Sequence, residues 1–224
     1  MQRITSLSDY FKKYEQSVKD PEEFWAEIAD TFIWKKKWDK VLDWDFDSVD
    51  IKWFKNAKLN ITENILEKNL IDRADKTAII WEPNDPTEPS IHLTYKELYE
   101  ETCKFSNALR EKGIKKGDRV IIYMPMVPEA AIAMLACARV GAIHSVVFAG
   151  FSSTSLADRI NDCQAKMVLT SDGNFRGNKT IPVKPVVDEA LEKCKTIESV
   201  VVLERTKQKI NMTSGRDFWW HDCI

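Results

Sequence analysis

Residues 143–179 read IHSVVFAGFSSTSLADRINDCQAKMVLTSDGNFRGNK, and their alternation decides the fold. Residues 143–148 are apolar and β-branched, 149–154 are small and polar, and 156–163 have helical spacing. Residues 166–170 are apolar again, and 171–179 form a polar loop with two Gly and two cations. Apolar runs of this length around a helical period predict strand, helix and strand. A strand–crossover–strand unit is right-handed, with parallel strands, in almost every case. The two loops are then expected at the carboxyl ends of adjacent parallel strands. That is the edge where open α/β sheets take their ligands.

The same alternation continues outward. RVIIY at 119–123 reads as a buried strand, and PEAAIAMLACARV at 128–140 as a helix apolar nearly all round, stopped by Gly141. Residues 187–195 place Val187, Ala190, Leu191 and Cys194 on one helical face, and SVVVL at 199–203 is the next strand. Parallel strands covered on both faces are continuously apolar, as RVIIY, HSVVF, KMVLT and SVVVL are. The expected fold class is therefore α/β, a doubly wound, largely parallel sheet with flanking helices. Upstream, 78–81 and 91–93 read as hairpin arms around the Pro-rich EPNDPTEPS. Thr94-Tyr95-Lys96-Glu97 is a capping box opening a helix that Gly113 ends.

Residues 1–75 differ in character. Five of the eight Trp fall in the first 53 residues, and such anchors pin irregular chain onto a neighbour. Residues 7–18 and 60–70 have helical spacing, and Asp20-Pro21-Glu22-Glu23 reads as the capped start of another helix. Between them, WKKKWDKVLDWDFDSVDIKWF shows no clean period, and its lysines read as a solvated face. The expected division is a Trp-rich, mostly helical extension over 1–75 and an α/β subdomain over 76–224. The tail stops four residues after an aromatic FWW run, inside what looks like another element, so the natural protein is expected to continue beyond Ile224.

Composition narrows the function classes. Net charge is −2, from 33 Lys+Arg against 35 Asp+Glu, which gives no ground for a nucleic-acid or membrane-surface protein. Five scattered Cys without a CxxC pair read as reduced thiols of a cytoplasmic protein. The N-terminus lacks the apolar core of a signal peptide, and no apolar run is long enough to span a membrane.

Two constellations could carry chemistry. Phe148-Ala149-Gly150-Phe151 is a tight turn at a strand's carboxyl end, and 152–154 cap the following helix, whose free N–H groups favour anions. Arg176 and Lys179 flank Gly177 and Asn178 on the second loop, where two cations could clamp phosphates. Ordinary surface loops of an α/β protein would look the same. No GxGxxG and no Walker A loop is present, and Thr213-Ser214-Gly215 reads as a turn before an aromatic anchor. His92, His144 and His221 lack ligand-spaced partners, so no metal site is expected; His144 reads as a hydrogen-bonded structural residue. Cys163 and Cys194 read as core. No Ser–His–Asp or Cys–His set stands out.

WFKNAKLNITENILEKNL, YMPMVPEAAIAMLACARVGAIHSVVFAGFSSTSLADRINDCQAKMVLTSDGNFRGNK, IPVKPVVDEAL and GRDFWWHD together resemble the acetyl-coenzyme A synthetases, in order and over nearly the whole chain. The resemblance implies an AMP-forming acetate–CoA ligase of the adenylate-forming superfamily, of which this is the N-terminal portion. Acetate and ATP would form acetyl-adenylate with release of diphosphate, and the thiol of coenzyme A would then attack the acyl carbon. It also implies that the family's Phe-Gly-Gly turn, which lies against the coenzyme A nucleotide, matches Phe148, Ala149 and Gly150. The family's basic coenzyme A loop matches Arg176, Gly177, Asn178 and Lys179. Ala149 departs from Gly, and Lys179 can replace an Arg only as a point charge. ATP, Mg and the acetate pocket belong to family segments with no counterpart here, so the chain alone is expected to be inactive, with no catalytic residue or metal ligand of its own. A propionate or other short-chain acyl ligase, or a stand-alone module binding nucleotides or a partner, stays open.

Overall fold

The computed structural model describes residues 4–224. Two compact units divide the chain, Met1–Asn64 and Ile65–Ile224, whereas the change of sequence character falls near residue 75.

In the first unit, helix α1 (Leu7–Lys19) is capped by Ser6, and α2 (Pro21–Ala29) by Asp20, whose side chain accepts from the Glu23 amide. The stretch without a period is a β-hairpin rather than irregular chain. Strand β1 (Lys40–Asp45) pairs antiparallel with β2 (Asp50–Lys55), setting Leu42 opposite Trp53 and Trp44 opposite Ile51. Aromatic–aliphatic cross-strand pairs of this kind stabilise a ribbon. The tryptophans also meet one another: Trp34 lies 5.3 Å from Trp38, and Trp25 lies 5.9 Å from Trp53. A π-helical turn, Glu63–Glu67, then leads into α3 (Lys68–Arg73).

The second unit, which begins at Ile65 within that turn and includes α3, continues with strands β3 (Thr77–Trp81) and β4 (Ile91–Thr94), an antiparallel pair as the sequence predicts. Helix α4 (Tyr95–Glu111) follows from a reciprocal capping box between Thr94 and Glu97, and Gly113 leaves it at φ +83°. The alternating core comes next: β5 (Arg119–Ile122), α5 (Pro128–Val140), β6 (Ile143–Val146), α6 (Ser153–Cys163) and β7 (Met167–Ser171). After it run β8 (Gly173–Arg176), β9 (Lys179–Pro182), α7 (Lys184–Leu191), β10 (Ser199–Leu203) and β11 (Asp217–Trp219). The main sheet has the order β11-β10-β7-β5-β6, parallel throughout.

The apolar runs divide by parity, as the period-2 pleat requires. Val120 and Ile122 of β5 pack with Phe105 of α4 and Ile132 of α5 on one face. Ile121, between them, packs with Leu156 and Ile160 of α6 and Val187 of α7 on the other. Each such buried aliphatic contributes about 1.5–3 kcal/mol. Helices on both faces make the sheet doubly wound. At the far end Trp220 stacks on Phe105 with ring centroids 3.7 Å apart, and the 213–215 stretch is a turn ahead of that anchor. Lys184, fully buried at the start of α7, joins that helix to β11 by contacts to Asp217 (2.8 Å) and Asp188 (2.6 Å).

Three expectations need correction. Strand β5 lies between β6 and β7, so the strands of the 143–179 unit are not adjacent; hydrophobic period specifies a strand but carries no information about sheet order. HSVVF is not covered on both faces, because β6 is an edge strand with Ile143 57% and Val146 58% exposed. The polar loop at 171–179 is largely a second hairpin, with β8 and β9 antiparallel and Arg176 opposite Lys179.

Candidate functional site

Both candidate motifs sit beyond carboxyl ends of parallel strands. The first follows β6. Phe148 is 72% exposed and meets Phe151 edge-to-face at 6.0 Å. A Cβ at Gly150 would lie 2.5 Å from Cε1 of Phe148, so the ring folds over the turn only because residue 150 has no side chain. The Ala149 methyl packs against the core shared by α6 and α7. Tyr123, at the end of β5 and 1% exposed, donates its hydroxyl to the Phe151 carbonyl at 2.7 Å. Burial pushes the Tyr123 pKa up, which keeps that donor protonated. Ser152 then caps α6, accepting from the Ser155 amide at 3.3 Å.

The second motif is the tip of the β8–β9 hairpin. Arg176 and Lys179 are the last facing pair, and Gly177 and Asn178 form the two-residue turn. Gly177 takes φ +55° and Asn178 stays out of the left-handed region, the pattern of a type II′ turn with Gly at its first central position. Arg176 and Lys179 are both exposed, and among the described residues neither side chain is paired with a carboxylate. The tip is held by the 82–90 loop: the Asn84 amide donates to the Gly177 carbonyl at 2.9 Å and accepts from the Gly177 amide at 3.2 Å. Lower down, the Arg205 guanidinium lies over Phe175 (4.8 Å) and Trp81 (5.1 Å) and pairs with Glu88 at 3.4 Å. Asn84, Asp85, Glu88, Phe175, Gly177 and Asn178 are among the residues lining a pocket of about 300 Å³ between loop and hairpin.

The hairpin's base is set by Asp172, which is fully buried. Its carboxylate accepts from the amides of Gly173, Arg205, Thr206 and Gln208 and from the Thr206 hydroxyl, at 2.7–3.1 Å. Asp172, Asn84 and Tyr123 went unrecognised in the sequence. Asp172 carried one signal, a carboxylate at the end of an apolar strand directly before Gly, whereas the contacts of Asn84 and Tyr123 are set by residues 93 and 28 positions away.

The two motifs are not joined to each other by any hydrogen bond, ion pair or ring contact among the described residues, and β5 stands between their parent strands. His144 has no hydrogen-bond partner for its ring among those residues, and burial lowers its pKa, so the structural hydrogen bond expected there is absent. All five cysteines are free; burial pushes the Cys137 thiol up to about 12, and Cys163 and Cys194 pack at the edge of the core. No group of three His, Cys, Asp or Glu among the described residues could hold a metal ion. None of their helices is long and apolar enough to cross a membrane.

Residues 66–222 match the model of AMP-binding enzymes, more than half of the chain. The chain belongs to the AMP-binding enzyme family. Residues 10–65 match the acetyl-coenzyme A synthetase N-terminus, so the family assignment extends through the Trp-rich unit. Among curated relatives, the acetyl-coenzyme A synthetase of Syntrophobacter fumaroxidans is 51% identical over 216 residues, covering 96% of this chain and 33% of that one. The acetyl-coenzyme A synthetase of Bradyrhizobium diazoefficiens is 52% identical with the same coverage, and that of Magnetococcus marinus is 49% identical over 99% of this chain and 34% of its own. The chain thus spans about a third of the length of the curated relatives it matches. The solved structure of acetoacetyl-CoA synthetase from Streptomyces lividans superposes with a TM-score of 0.83 over 93% of this chain and 32% of that one. At 24% identity that likeness shows the fold alone, an α/β architecture.

Proposed function

We propose that this chain supplies part of the coenzyme A nucleotide site of an AMP-forming acetate–CoA ligase. In the whole protein, acetate, ATP and coenzyme A would give acetyl-CoA, AMP and diphosphate. The observation that carries the reading is the hairpin tip. A II′ turn sets Arg176 and Lys179 directly opposite each other, exposed and without a carboxylate partner among the described residues. Such a pair suits a phosphate: Arg176 offers a planar bidentate fork, Lys179 a point charge. The turn at 148–150 presents an exposed Phe148 ring that would lie against the nucleotide.

These residues bind and orient; none is placed to transfer a proton or form a bond. In a protein of the relatives' length, Arg176→Ala is expected to raise the KM for coenzyme A about tenfold or more, the worth of a charge-assisted hydrogen bond of about 1.5–3 kcal/mol. Acetate- and ATP-dependent pyrophosphate exchange, which needs no coenzyme A, is expected to be unchanged. Equal loss in both half-reactions would make Arg176 structural and sink the assignment. The chain by itself is expected to be inactive, and acetate-dependent pyrophosphate release from it would refute that.

A further inference from the structure

The Arg176–Lys179 tip stands at the end of a ribbon of two four-residue strands, which is marginal on its own. Two attachments hold its lower part, the Asp172 carboxylate at the base and the Arg205 guanidinium beside Phe175. Neither reaches the turn. Asn84 does: it makes a reciprocal pair with the backbone of Gly177, donating from Nδ2 to the carbonyl at 2.9 Å and accepting at Oδ1 from the amide at 3.2 Å. Both polar ends of the side chain are used, so the pair fixes the orientation of the turn as well as its distance from the loop.

The loop that carries Asn84 is itself stiff. Pro83 and Pro86 bracket it and lock their φ angles. Asp85 closes a local turn by accepting from the Thr87 amide (2.8 Å) and the Thr87 hydroxyl (2.7 Å). A rigid anchor tied to the turn residue next to Arg176 limits how far Arg176 and Lys179 can wander. An anionic ligand then meets a preorganised pair, and less binding energy is lost to ordering it.

We propose that Asn84 is a positioning residue for the anion-binding turn, acting through Gly177 to hold Arg176 and Lys179 in register for a phosphate. This rests on the reading that the turn binds the coenzyme A nucleotide.

The test is a double-mutant cycle in a protein of the relatives' length, with coenzyme A as the varied substrate. Asn84→Ala is expected to raise the KM for coenzyme A about five- to twentyfold, the scale of lost preorganisation. Coenzyme A-independent pyrophosphate exchange serves as the control. Asn84→Asp keeps the acceptor for the Gly177 amide but sets a carboxylate against the Gly177 carbonyl and adds negative charge beside the cation pair, so it is expected to raise the KM at least as much as alanine. If Asn84 acts through the Arg176–Lys179 pair, the N84A/R176A double variant raises the KM by less than the product of the two single effects. Hydrogen exchange at the Gly177 amide is expected to accelerate in N84A. The proposal is overturned if N84A leaves the KM unchanged while R176A raises it, and in that case the coenzyme A reading survives. It is also overturned if N84A depresses both half-reactions equally, which marks a fold effect. If R176A is silent as well, the coenzyme A reading itself falls and takes the proposal with it.

Discussion

Replacing Asp217 with Ala is expected to lower the unfolding free energy of this chain by about 3–5 kcal/mol, the cost of leaving a buried charge without its partner. The stranded charge is Lys184, whose side chain is 0% exposed and lies 2.8 Å from Asp217. Asp188 at 2.6 Å and the Asn211 carbonyl at 3.0 Å remain beside it, which places the loss toward the lower end. Arg216, 2.6 Å from the same carboxylate, loses that contact but keeps Asp188 at 3.2 Å and is more exposed, so it adds little to the loss. The measurement is the urea midpoint, which should fall with an unchanged slope. Acid gives an independent check. Burial alone would raise the Asp217 pKa, but hydrogen bonds from Arg216, Lys184 and the Thr213 amide outweigh it and hold the group below its ordinary value. A carboxylate depressed in the folded state contributes stability that is complete above its unfolded value, about pH 4, and is lost as pH falls through the lower folded value. The wild-type chain should therefore lose stability below about pH 4 more steeply than the Asp217→Ala variant does. Parallel profiles for the two would show that Asp217 contributes nothing through its charge.

Asp172→Ala is the second large effect, and it links stability to the candidate site. The carboxylate takes four backbone amides, those of Gly173, Arg205, Thr206 and Gln208. Each buried amide stranded costs ~1–3 kcal/mol. Several of these lie near the surface, where water can replace the lost oxygen, so a loss of about 2–4 kcal/mol is expected. Asp172→Asn should recover little of it, because the amide nitrogen must face a row of N–H donors whichever way it is flipped. The damage should be local: amide exchange should rise along β8, β9 and residues 204–208 before it rises in β5. Uniform acceleration across the sheet would instead make Asp172 part of the global core.

What the residues disclosed in advance depended on how local the signal was. The Thr94–Glu97 capping box, the Pro128 start and Gly141 stop of α5, and the buried runs at β5, β7 and β10 are local, and the structure has them where the pattern placed them. The hairpin β1–β2 was illegible for a definite reason. Apart from the buried Val41, its strand residues are exposed or half-buried on both faces, so no alternation marks them, and its turn carries Val49 rather than Gly at φ +56°. Sheet order was beyond reach because nothing in RVIIY says that it inserts between HSVVF and KMVLT. The candidate site shows the same divide. The 148–150 turn and the Arg176–Lys179 tip stand out as short motifs, while the groups that hold them, Tyr123 and Asn84, are far away in sequence and ordinary in type.

The exposed rim of the sheet has a further consequence. Strand β6 is hydrogen-bonded to β5 on one side, and its other side presents main-chain N–H and C=O groups flanked by Ile143 and Val146. No Pro, Lys or Arg blunts its four residues, IHSV. Such an edge is an open template for another strand. Of the sheet's two edge strands, β6 and β11, this apolar one is where a second molecule would add itself as a further strand, a property that the average composition, 44% hydrophobic with a net charge of −2, does not disclose.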